Sequence, residues 1–570
     1  SLGFTPAFVL EESKMKINVL DDQVSVSEQI TVDDIKLLVE DGVKVVVCNR
    51  PDGEAEGQAS AAEIEAFAIV KGMRFIHIPF TGGNLSEQQV TDFGLALAGG
   101  ERLHAYCRTG NRCSIIWARA RAEAGVSHDS LVTAAKQVGY DLSGLFSDTA
   151  AEVDTSVANT VAKPCYDIVV VGAGSGGVAI CASLLKRKPN LRIALIDAAT
   201  KHYYQPGWTM VGGGVFDASS TEKNMVDVIP KSVHWLQHNV VAFNAAENCV
   251  RLDDDSEVYY QQLVVSPGLV LNWSAIEGLE ETLGKNGVTS NYRYDLAPYT
   301  WELVQNLQQG TALFTQPPMP IKCAGAPQKA LYLSADHWFK QGRINNINVE
   351  FCNAGGVLFG VADYVPALMS YMEKYQAKLN FMHTLVKVDG PAKQAWFKDA
   401  NSGSDELICK SFDMLHVCPP QQAPAFIRDS ELADAEGWLA INPATLQHTG
   451  FENIWGLGDV MNTTNAKTMA AVRKQVPIVA NNICAVLDGK AATKEYDGYG
   501  SCPLTVERGK IVLAEFCYGG KVSPSFPKWL NDGTKPSRQA WLLKAMLLPA
   551  VYWHAMLKGR EWLTSSTLPS

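Results

Sequence analysis

The chain has 570 residues, of which 47% are hydrophobic and 19% charged, and its formal net charge is −11 at pH 7. A chain of this length exceeds one ordinary hydrophobic core, so two or three folded domains are expected. The acidic balance excludes nucleic acid as a partner, because no basic excess is available to replace phosphate counterions.

The cysteines and the apolar runs predict where the protein works. Thirteen cysteines are spread singly with no Cys-x-x-Cys pair, which indicates reduced thiols in the cytoplasm rather than a disulfide scaffold. The first 14 residues lack the apolar core of a signal peptide, and Met15 is the expected native start. No run of about 18 uninterrupted apolar residues occurs, so we expect no membrane-spanning helix.

Apolar runs and helical stretches alternate along the chain, which predicts an α/β fold. Residues 15–145 are expected to form a small α/β domain, and residues 146–164, rich in Ser, Thr, Ala and Asp, a linker. Residues 165–524 are long enough for two Rossmann-type sheets, the second inserted at about 300–425. Residues 525–570 form a C-terminal region of different character.

A cysteine loop joins a strand to a helix in the first domain. In Cys107-Arg-Thr-Gly-Asn-Arg112, loop amides and Arg112 surround a thiol, which favours a thiolate and binds anions. The Cys-x4-Arg spacing is too short for a tyrosine phosphatase and resembles the loop of rhodanese sulfurtransferases. Asp52 and Asp92, the only aspartates between Arg50 and Cys107, are poorly placed for a phosphatase general acid. We predict sulfur transfer by Cys107 and Arg112, with phosphatase chemistry and an inactive loop as alternatives.

A dinucleotide-binding motif opens the second domain. The apolar strand 167–171 runs into Gly172-Ala-Gly174-Ser-Gly-Gly177 and a helix, and Asp197 ends the next strand 20 residues after Gly177. Glycines of this spacing let the backbone approach a pyrophosphate at the helix N-terminus, and the acid binds the ribose hydroxyls.

Two later motifs indicate FAD rather than NAD. Residues 453–459 (NIWGLGD) resemble the second fingerprint of two-dinucleotide-domain flavoprotein reductases, whose aspartate binds the ribityl chain. Residues 263–269 (LVVSPGL) resemble the ATG-like motif of the same proteins. The candidate cofactor-binding residues are Gly172, Gly174, Gly177, Asp197, Gln205, Gly268, Gly458, Asp459 and Lys467.

The place where such reductases bind NAD(P)H is different in this chain. Residues 312–320 (ALFTQPPMP) have prolines where the nucleotide-binding turn has glycines. Proline cannot donate an amide to a pyrophosphate. NAD(P)H is therefore not expected to be the partner.

A thiol follows this proline turn. Cys323 stands at a predicted helix start with Lys322 and Lys329 nearby, and this setting lowers a thiol pKa as a nucleophile requires. Cys323 is the predicted catalytic residue of the flavin domain.

Four motifs resemble one enzyme family. KCAGAPQKALYLS from Lys322, HYYQPGWT from His202, LHVCPP from Leu415 and YDGYGSCP from Tyr496 are similar to the mitochondrial-type sulfide:quinone oxidoreductases, from about residue 165 to the C-terminus. The resemblance implies that Cys323 carries a persulfide or trisulfide on one face of FAD while quinone docks on the other. It implies oxidation of sulfide or a persulfide, with sulfane sulfur passing through Cys107 to a small thiol such as glutathione.

One position departs from the family pattern. The resemblance implies a second redox cysteine directly after the Gly-Asp of the flavin motif, and this chain has Val460 there. Cys418 and Cys352, each at a predicted strand end, are the candidate substitutes, because the carboxyl ends of neighbouring parallel strands line one crevice. Both are also candidates for plain core residues, and Cys323 acting as the sole flavin-side thiol is the simplest alternative.

The C-terminal region predicts contact with a membrane. Residues 541–560 are rich in Trp, Tyr, Leu and Met with interspersed Lys and Arg, and Pro549 divides them into two short helices. Such a segment suits the membrane interface and would give quinone a route to FAD, although packing on the protein body is the alternative. We expect a peripheral protein on the cytoplasmic face, and a homo-oligomer stays open.

Two other functions remain to be distinguished. An NAD(P)H-dependent persulfide reductase would use the same FAD and Cys323, and a non-turnover flavin sensor would explain Val460. His234 and His238 lie four residues apart without a third ligand nearby in the sequence, so no metal site is predicted.

Overall fold

A computed structural model of the chain describes residues 15–55, 57–81, 85–142, 145, 165–562 and 564. The predicted linker 146–164 lies outside these residues. The chain divides into two compact units, residues 1–159 and 160–570.

The first unit is built on a five-stranded sheet with the order β1-β2-β5-β3-β4, in which β2, β5, β3 and β4 are parallel and β1 is antiparallel. Its elements are β1 (Asn18–Val19), β2 (Val24–Ser27), α1 (Asp34–Glu40), β3 (Val45–Cys48), α2 (Ala61–Val70), β4 (Arg74–His77), α3 (Glu87–Ala98), β5 (Leu103–Tyr106), α4 (Asn111–Glu123) and α5 (His128–Gln137). Strands β2, β3 and β5 are buried along their whole length, as expected for parallel strands covered on both faces.

Local signals fix the helices of this unit. Ser60 and Ser86 each form a capping box, with Glu63 and Gln89 respectively, which satisfies otherwise unpaired backbone N–H groups. The buried His104 on β5 shares hydrogen bonds with Ser25 and Ser27 across the sheet. Strands β3 and β5 pair in parallel, so their carboxyl ends lie side by side: β3 ends at Cys48, and β5 ends one residue before Cys107.

The second unit begins with a seven-stranded sheet, in which β10-β7-β6-β13-β12-β11 are neighbours and β24 pairs with β13. Its first elements are β6 (Cys165–Val171), α6 (Ser175–Arg187), β7 (Ile193–Ile196), β8 (Lys201–Tyr203), α7 (Trp208–Val211), β9 (Glu222–Asn224), α8 (Met225–Val228), β10 (His234–Leu236), β11 (Val240–Asn244), β12 (Cys249–Leu252), β13 (Glu257–Val265) and β14 (Val270–Leu271). The parallel pairs β6–β7 and β6–β13 place the loop after β6 at the centre of the sheet edge.

A second sheet follows, with five parallel strands in the order β15-β22-β16-β17-β18. An antiparallel meander, β19-β20-β21, is inserted in it. The elements are β15 (Val288–Thr289), α9 (Ala297–Asn306), β16 (Gly310–Gln316), α10 (Ala326–Lys340), β17 (Ile347–Asn353), α11 (Val365–Lys374), β18 (Lys378–Phe381), β19 (His383–Asp389), β20 (Gln394–Asp399), β21 (Leu407–Ser411), β22 (Met414–His416), β23 (Gln421–Gln422) and α12 (Ala425–Arg428).

The chain then returns to the first sheet and ends in a hairpin and a helical segment. These elements are β24 (Ile454–Gly456), α13 (Met469–Leu487), β25 (Gly500–Glu507), β26 (Lys510–Phe516), α14 (Arg538–Leu542) and α15 (Leu548–His554). A π-helical turn, Leu543–Leu547, joins α14 to α15. The segment therefore stays helical through Pro549 and is not divided there into two separate helices, as the sequence predicted. Pro549 occupies the first turn of α15, where a missing N–H is tolerated.

The helical stretch Arg538–Lys558 is long and apolar enough to cross a membrane by length and composition, with a mean hydropathy of 1.2. Of its most apolar part, 44% is buried inside the unit, and a buried core helix has the same composition. The prediction that this segment lies on a membrane without spanning it stays a prediction.

Candidate active site

The glycine motif after β6 forms a cradle for a phosphate. Gly172 has φ +92°, and a Cβ there would lie 2.6 Å from the Cα of Pro267. A Cβ on Gly177 would lie 1.8 Å from the carbonyl oxygen of Gly172. By contrast, a Cβ on Gly174 would meet no atom within 4 Å. Two glycines thus permit close packing, while Gly174 lines a cavity at the N-terminus of α6, where free N–H groups bind anions.

The other predicted cofactor residues divide into lining and supporting groups. Gln205, Gly268, Gly458, Asp459 and Lys467 line the same cavity as Gly174. Asp197 instead supports the cradle, because its carboxylate accepts the N–H groups of Ala173 at 2.7 Å and Ala199 at 2.8 Å. The cradle and the Gly-Asp motif lie along one continuous cavity, and these residues fit an elongated dinucleotide such as FAD.

Cys323 is joined directly to the cofactor-binding segment. Its backbone N–H donates to the carbonyl oxygen of Lys467 at 2.8 Å. The backbones of Lys322 and Lys467 pair in an isolated parallel β-bridge. The Lys322 ammonium donates to Gln205 at 2.6 Å. Cys323 itself has φ +49°, an uncommon conformation for a residue with a side chain. The thiol is therefore held at a defined position at the cavity wall.

Cys502 lies beside Cys323. The two Sγ atoms are 3.6 Å apart, and Lys329 Nζ donates to the Cys323 Sγ at 3.0 Å. Gly325 makes this approach possible, because a Cβ at that position would lie 2.5 Å from the Cys502 Sγ. A small side-chain movement would bring the two sulfur atoms to the bond length of a disulfide, about 2.0 Å.

The two thiols differ strongly in acidity. The hydrogen bond from Cys502 and the Lys329 ammonium hold the pKa of Cys323 well below its usual range, against the effect of burial. The same hydrogen bond, together with burial, raises the pKa of Cys502 well above its usual range. Cys323 is therefore a thiolate when Cys502 is a thiol.

The prediction that Cys418 or Cys352 replaces the second redox thiol stays a prediction, and the thiol that the described residues place against the Cys323 sulfur is that of Cys502. Cys418 belongs to the small buried cluster around Cys323, but its Sγ interacts with Gln421 at 3.7 Å. Cys352 lies in a separate apolar cluster and interacts with Asn380. Burial raises the pKa of both Cys418 and Cys352 to about 12, so neither is an ionised thiol.

Sequence reasoning missed two residues of this site. Cys502 belongs to the YDGYGSCP motif, but its place on a hairpin far along the chain gives no sign in the sequence that it contacts Cys323. Lys544, in the π-helical turn, is 5% exposed and donates to Pro503 O at 3.4 Å. Burial and the neighbouring Lys329 lower the pKa of Lys544 to about 7. The sequence marks Lys544 only as one of the basic residues interspersed among the apolar residues of the C-terminal segment, and its burial beside the thiols is not visible in that pattern.

Val460 lies in the main core. It is fully buried among the apolar residues of the first sheet. A valine at this position is consistent with packing, and the thiol near Cys323 comes from the hairpin β25–β26 instead.

The site of the first unit is built around Cys107, directly after β5. Gly110 N–H donates to the Cys107 Sγ at 3.2 Å. A hydrogen bond with Cys113 and loop N–H groups, including that of Thr109, lower the pKa of Cys107 to about 5 although burial opposes it. Burial raises the pKa of Cys113, so Cys107 is the ionised member of this pair.

Arg112 is held in place by Glu54. Its guanidinium donates to both carboxylate oxygens of Glu54, at 2.8 and 2.7 Å, and to Phe80 O at 2.6 Å. Arg50 donates to the same carboxylate at 3.0 Å. Asp52 accepts the Ala61 N–H at 2.8 Å and so serves the start of α2. The loop therefore combines a thiolate and a fixed guanidinium, without an aspartate placed as a general acid among the described residues.

His238 has acidic neighbours that the sequence did not predict. Its ring lies beside Asp253 and Asp254, at 2.9 and 3.6 Å. Exposed groups of this kind are common without an ion.

Two family models match the chain. The family described as "Beta-lactamase hydrolase-like protein, phosphatase-like domain" matches residues 16–124, and "Pyridine nucleotide-disulphide oxidoreductase" matches residues 166–304. The predicted α/β fold, with a phosphatase-like domain before a flavoprotein reductase fold, is confirmed. A flavin cofactor follows from the second match and from the relatives described below.

Known proteins resemble the chain over most of its length. The chain is 39% identical to the mitochondrial sulfide:quinone oxidoreductase of Dictyostelium discoideum over 423 residues, which cover 74% of this chain and 92% of that protein. It is 35% identical to the mouse mitochondrial sulfide:quinone oxidoreductase, covering 70% and 88% respectively. The structure of the Aquifex aeolicus sulfide:quinone oxidoreductase has the same fold, with a TM-score of 0.57, 18% identity and coverage of 70% and 91%. The chain belongs to the sulfide:quinone oxidoreductase family.

Proposed function

We propose that the protein oxidises sulfide at the Cys323–Cys502 dithiol beside bound FAD, passes two electrons to a quinone and delivers the oxidised sulfur to a thiol. In the balanced reaction, one hydrogen sulfide, one thiol (RSH) and one quinone give one persulfide (RSSH) and one quinol. The observation that carries the proposal is the 3.6 Å separation between the Cys502 Sγ and the Sγ of Cys323, which lines the cofactor cavity.

The unequal acidity of the two thiols directs the attack of sulfide. When Cys323 and Cys502 form a disulfide, the hydrosulfide anion attacks the sulfur whose partner is the better leaving thiolate. The Lys329 ammonium, 3.0 Å from the Cys323 Sγ, stabilises a thiolate on Cys323 and makes it the leaving group. The S–S bond therefore breaks toward Cys323, and Cys502 becomes the persulfide, whereas the family resemblance implied a persulfide on Cys323.

The remaining steps restore the disulfide. An acceptor thiolate attacks the outer sulfur of the Cys502 persulfide, which leaves RSSH and the reduced Cys323–Cys502 pair. Bound FAD supplies a two-electron acceptor for this pair and a donor for quinone. Lys329, 3.0 Å from the Cys323 Sγ, stabilises the thiolate that donates the electrons, because a nearby ammonium favours the charged form.

Two rival functions lose support from the site. A non-turnover sensor was suggested by Val460, but Cys502 supplies a second thiol. An NAD(P)H-dependent reductase would need a phosphate-binding turn after β16, where Gln316 is followed by two prolines. Proline offers no N–H to a pyrophosphate.

For the first unit we infer sulfur transfer through Cys107. A thiolate with a pKa of about 5 next to a fixed guanidinium suits a persulfide, which is an anion at neutral pH. The use of Asp52 to start α2 disfavours phosphatase chemistry, which needs a general acid. Cys107 would accept sulfur released by the second unit and pass it to a small thiol such as glutathione.

A membrane surface is the proposed location. Leu542, Met546 and Leu547 are 55%, 69% and 49% exposed on the C-terminal helical segment, and Trp529 is 85% exposed. Aromatic and aliphatic side chains of this kind insert into the membrane interface. We propose peripheral attachment at the cytoplasmic face, where a lipid-soluble quinone is available, and a homo-oligomer stays a prediction.

The visible spectrum of the flavin tests the proposal. Under anaerobic conditions, sulfide should bleach the flavin of the purified protein, and decylubiquinone should then restore it. Cys323→Ser should abolish bleaching, whereas Cys418→Ser, which replaces a buried thiol of raised pKa, should leave it intact. A wild-type flavin that stays oxidised with sulfide, or is bleached by NADH alone, would contradict the proposed reaction.

A further inference from the structure

The cofactor cavity extends toward the C-terminal segment in a part that we call the apolar arm, which is lined by Pro503, Leu513, Phe526, Leu543 and Leu548. Leu513, Phe526 and Leu543 belong to one apolar cluster formed by the hairpin β25–β26 and the segments that follow it. The arm is suited to an apolar ligand because its walls are aliphatic and aromatic.

Arg473 is one of several charged residues in the wall of this cavity. Arg473, in the second turn of α13, is 8% exposed and lines the cavity. Its Nε and Nη1 atoms are buried and have no hydrogen-bond partner within the described part of the chain.

The neighbouring acid is already engaged. The carboxylate of Glu515 accepts the hydroxyls of Tyr499 at 2.5 Å and Ser525 at 2.6 Å, and the Ser525 N–H at 3.1 Å. Tyr499 and Glu515 interact electrostatically with Arg473, but neither forms a hydrogen bond with its Nε or Nη1. The guanidinium therefore retains unsatisfied donors next to the cavity.

Unsatisfied buried donors of this kind are costly. The cost is larger for a charged group than for a neutral N–H. A ligand that offers an acceptor oxygen on an apolar ring would satisfy the donors and fill the arm. A quinone has this chemistry, because its ring carbonyls accept hydrogen bonds and its tail is apolar.

We propose that Arg473 binds a carbonyl oxygen of the quinone and stabilises the negative charge that this oxygen gains as the ring is reduced. This inference rests on the proposed function. Reduction of quinone to quinol takes two electrons and two protons, and both are supplied by hydrogen sulfide and the acceptor thiol in the overall reaction given above. Arg473 contributes no proton in this scheme; it orients the ring and balances its charge.

Stopped-flow kinetics on the flavin-loaded protein separates the two halves of the reaction. In Arg473→Met, bleaching by sulfide should keep its wild-type rate. Reoxidation by decylubiquinone should slow by about 10- to 100-fold, as expected for the loss of hydrogen bonds from a charged group. Arg473→Lys should recover part of the rate, because an ammonium keeps the charge but not the planar set of donors.

Lys474→Met provides the matched control. Lys474 is the next residue of α13, and its ammonium lies 4.7 Å from the centre of the Tyr499 ring without lining the cavity. This variant should reoxidise at the wild-type rate. Equal slowing in Lys474→Met would overturn the proposal, since it would indicate a general effect of charge.

The remaining outcomes distinguish this inference from the proposed function. If decylubiquinone reoxidises wild type and Arg473→Met equally fast, the role of Arg473 is wrong and the proposed function stands. If Arg473→Met loses flavin, or its bleaching by sulfide slows, Arg473 serves the flavin and the proposal is overturned. If wild type is bleached but no quinone reoxidises it, the proposed function itself fails.

Discussion

Removal of the Lys329 ammonium should raise the pKa of Cys323 by about two to three units. The Nζ atom lies 3.0 Å from the Cys323 Sγ, and at an effective dielectric constant of about 20 this separation corresponds to roughly 5 kcal/mol, or about four pKa units. Lys544 remains close to both thiols in Lys329→Met, and water entering the space would screen the site, so a smaller shift is expected.

Alkylation of the reduced protein by iodoacetamide measures this shift. The rate for the peptide containing Cys323, followed by mass spectrometry from about pH 5 to 10, reports the thiolate fraction. In Lys329→Met the midpoint should move to higher pH, and at a pH below the wild-type midpoint the rate should fall by roughly 100-fold or more. Lys378→Met, which removes an exposed lysine of β18, should behave as wild type. A midpoint in Lys329→Met within half a unit of wild type would refute the electrostatic role of Lys329.

Three further outcomes are expected. Cys502→Ser should form no disulfide with Cys323 and should lose turnover with sulfide and quinone, whereas Cys418→Ser should retain turnover. Turnover in both variants would show that the reaction does not need the Cys323–Cys502 pair. Cys113→Ala should raise the pKa of Cys107 by about one unit, because it removes the hydrogen bond from Cys113, the largest cause of the lowered pKa. The rate of Cys107 alkylation near pH 5 measures this change, and a rate equal to that of wild type would contradict it. Burial lowers the pKa of His202 to about 4, so its neutral form stabilises the fold above about pH 6.5, and this stability is lost as the pH falls toward 4. Urea unfolding at pH 7 and 4.5 should show wild type losing about 2–3 kcal/mol more than His202→Gln; equal losses would disprove this.

The cofactor cradle could be predicted from the sequence because its signals are local. A strand, three glycines and a helix start stand within a few residues, and their packing around Gly172 and Gly177 requires glycine on steric grounds. The loop at Cys107 is local in the same way, since the strand end, the thiol and Arg112 are neighbours in the chain.

The dithiol could not be placed from the sequence for the opposite reason. Cys323 and Cys502 are 179 residues apart, and their contact depends on how β25 packs against α10. Several buried cysteines satisfied the sequence argument equally well, and only the packing separates Cys502 from Cys418 and Cys352. Arg473 was likewise hidden, because the absence of a partner for a side chain is a property of the folded structure.

Strand β25 separates the Cys502 sulfur from the part of the cavity proposed to bind the quinone. Successive side chains of a strand point to opposite faces, so Cys502 lies toward α10 while Ser501 and Pro503 line the cavity. Sulfide and thiols add readily to quinone rings, and a persulfide exposed in the apolar arm would consume the electron acceptor. With the backbone of β25 between the Cys502 sulfur and the arm, a persulfide on Cys502 is shielded from the quinone while electrons pass through the cofactor.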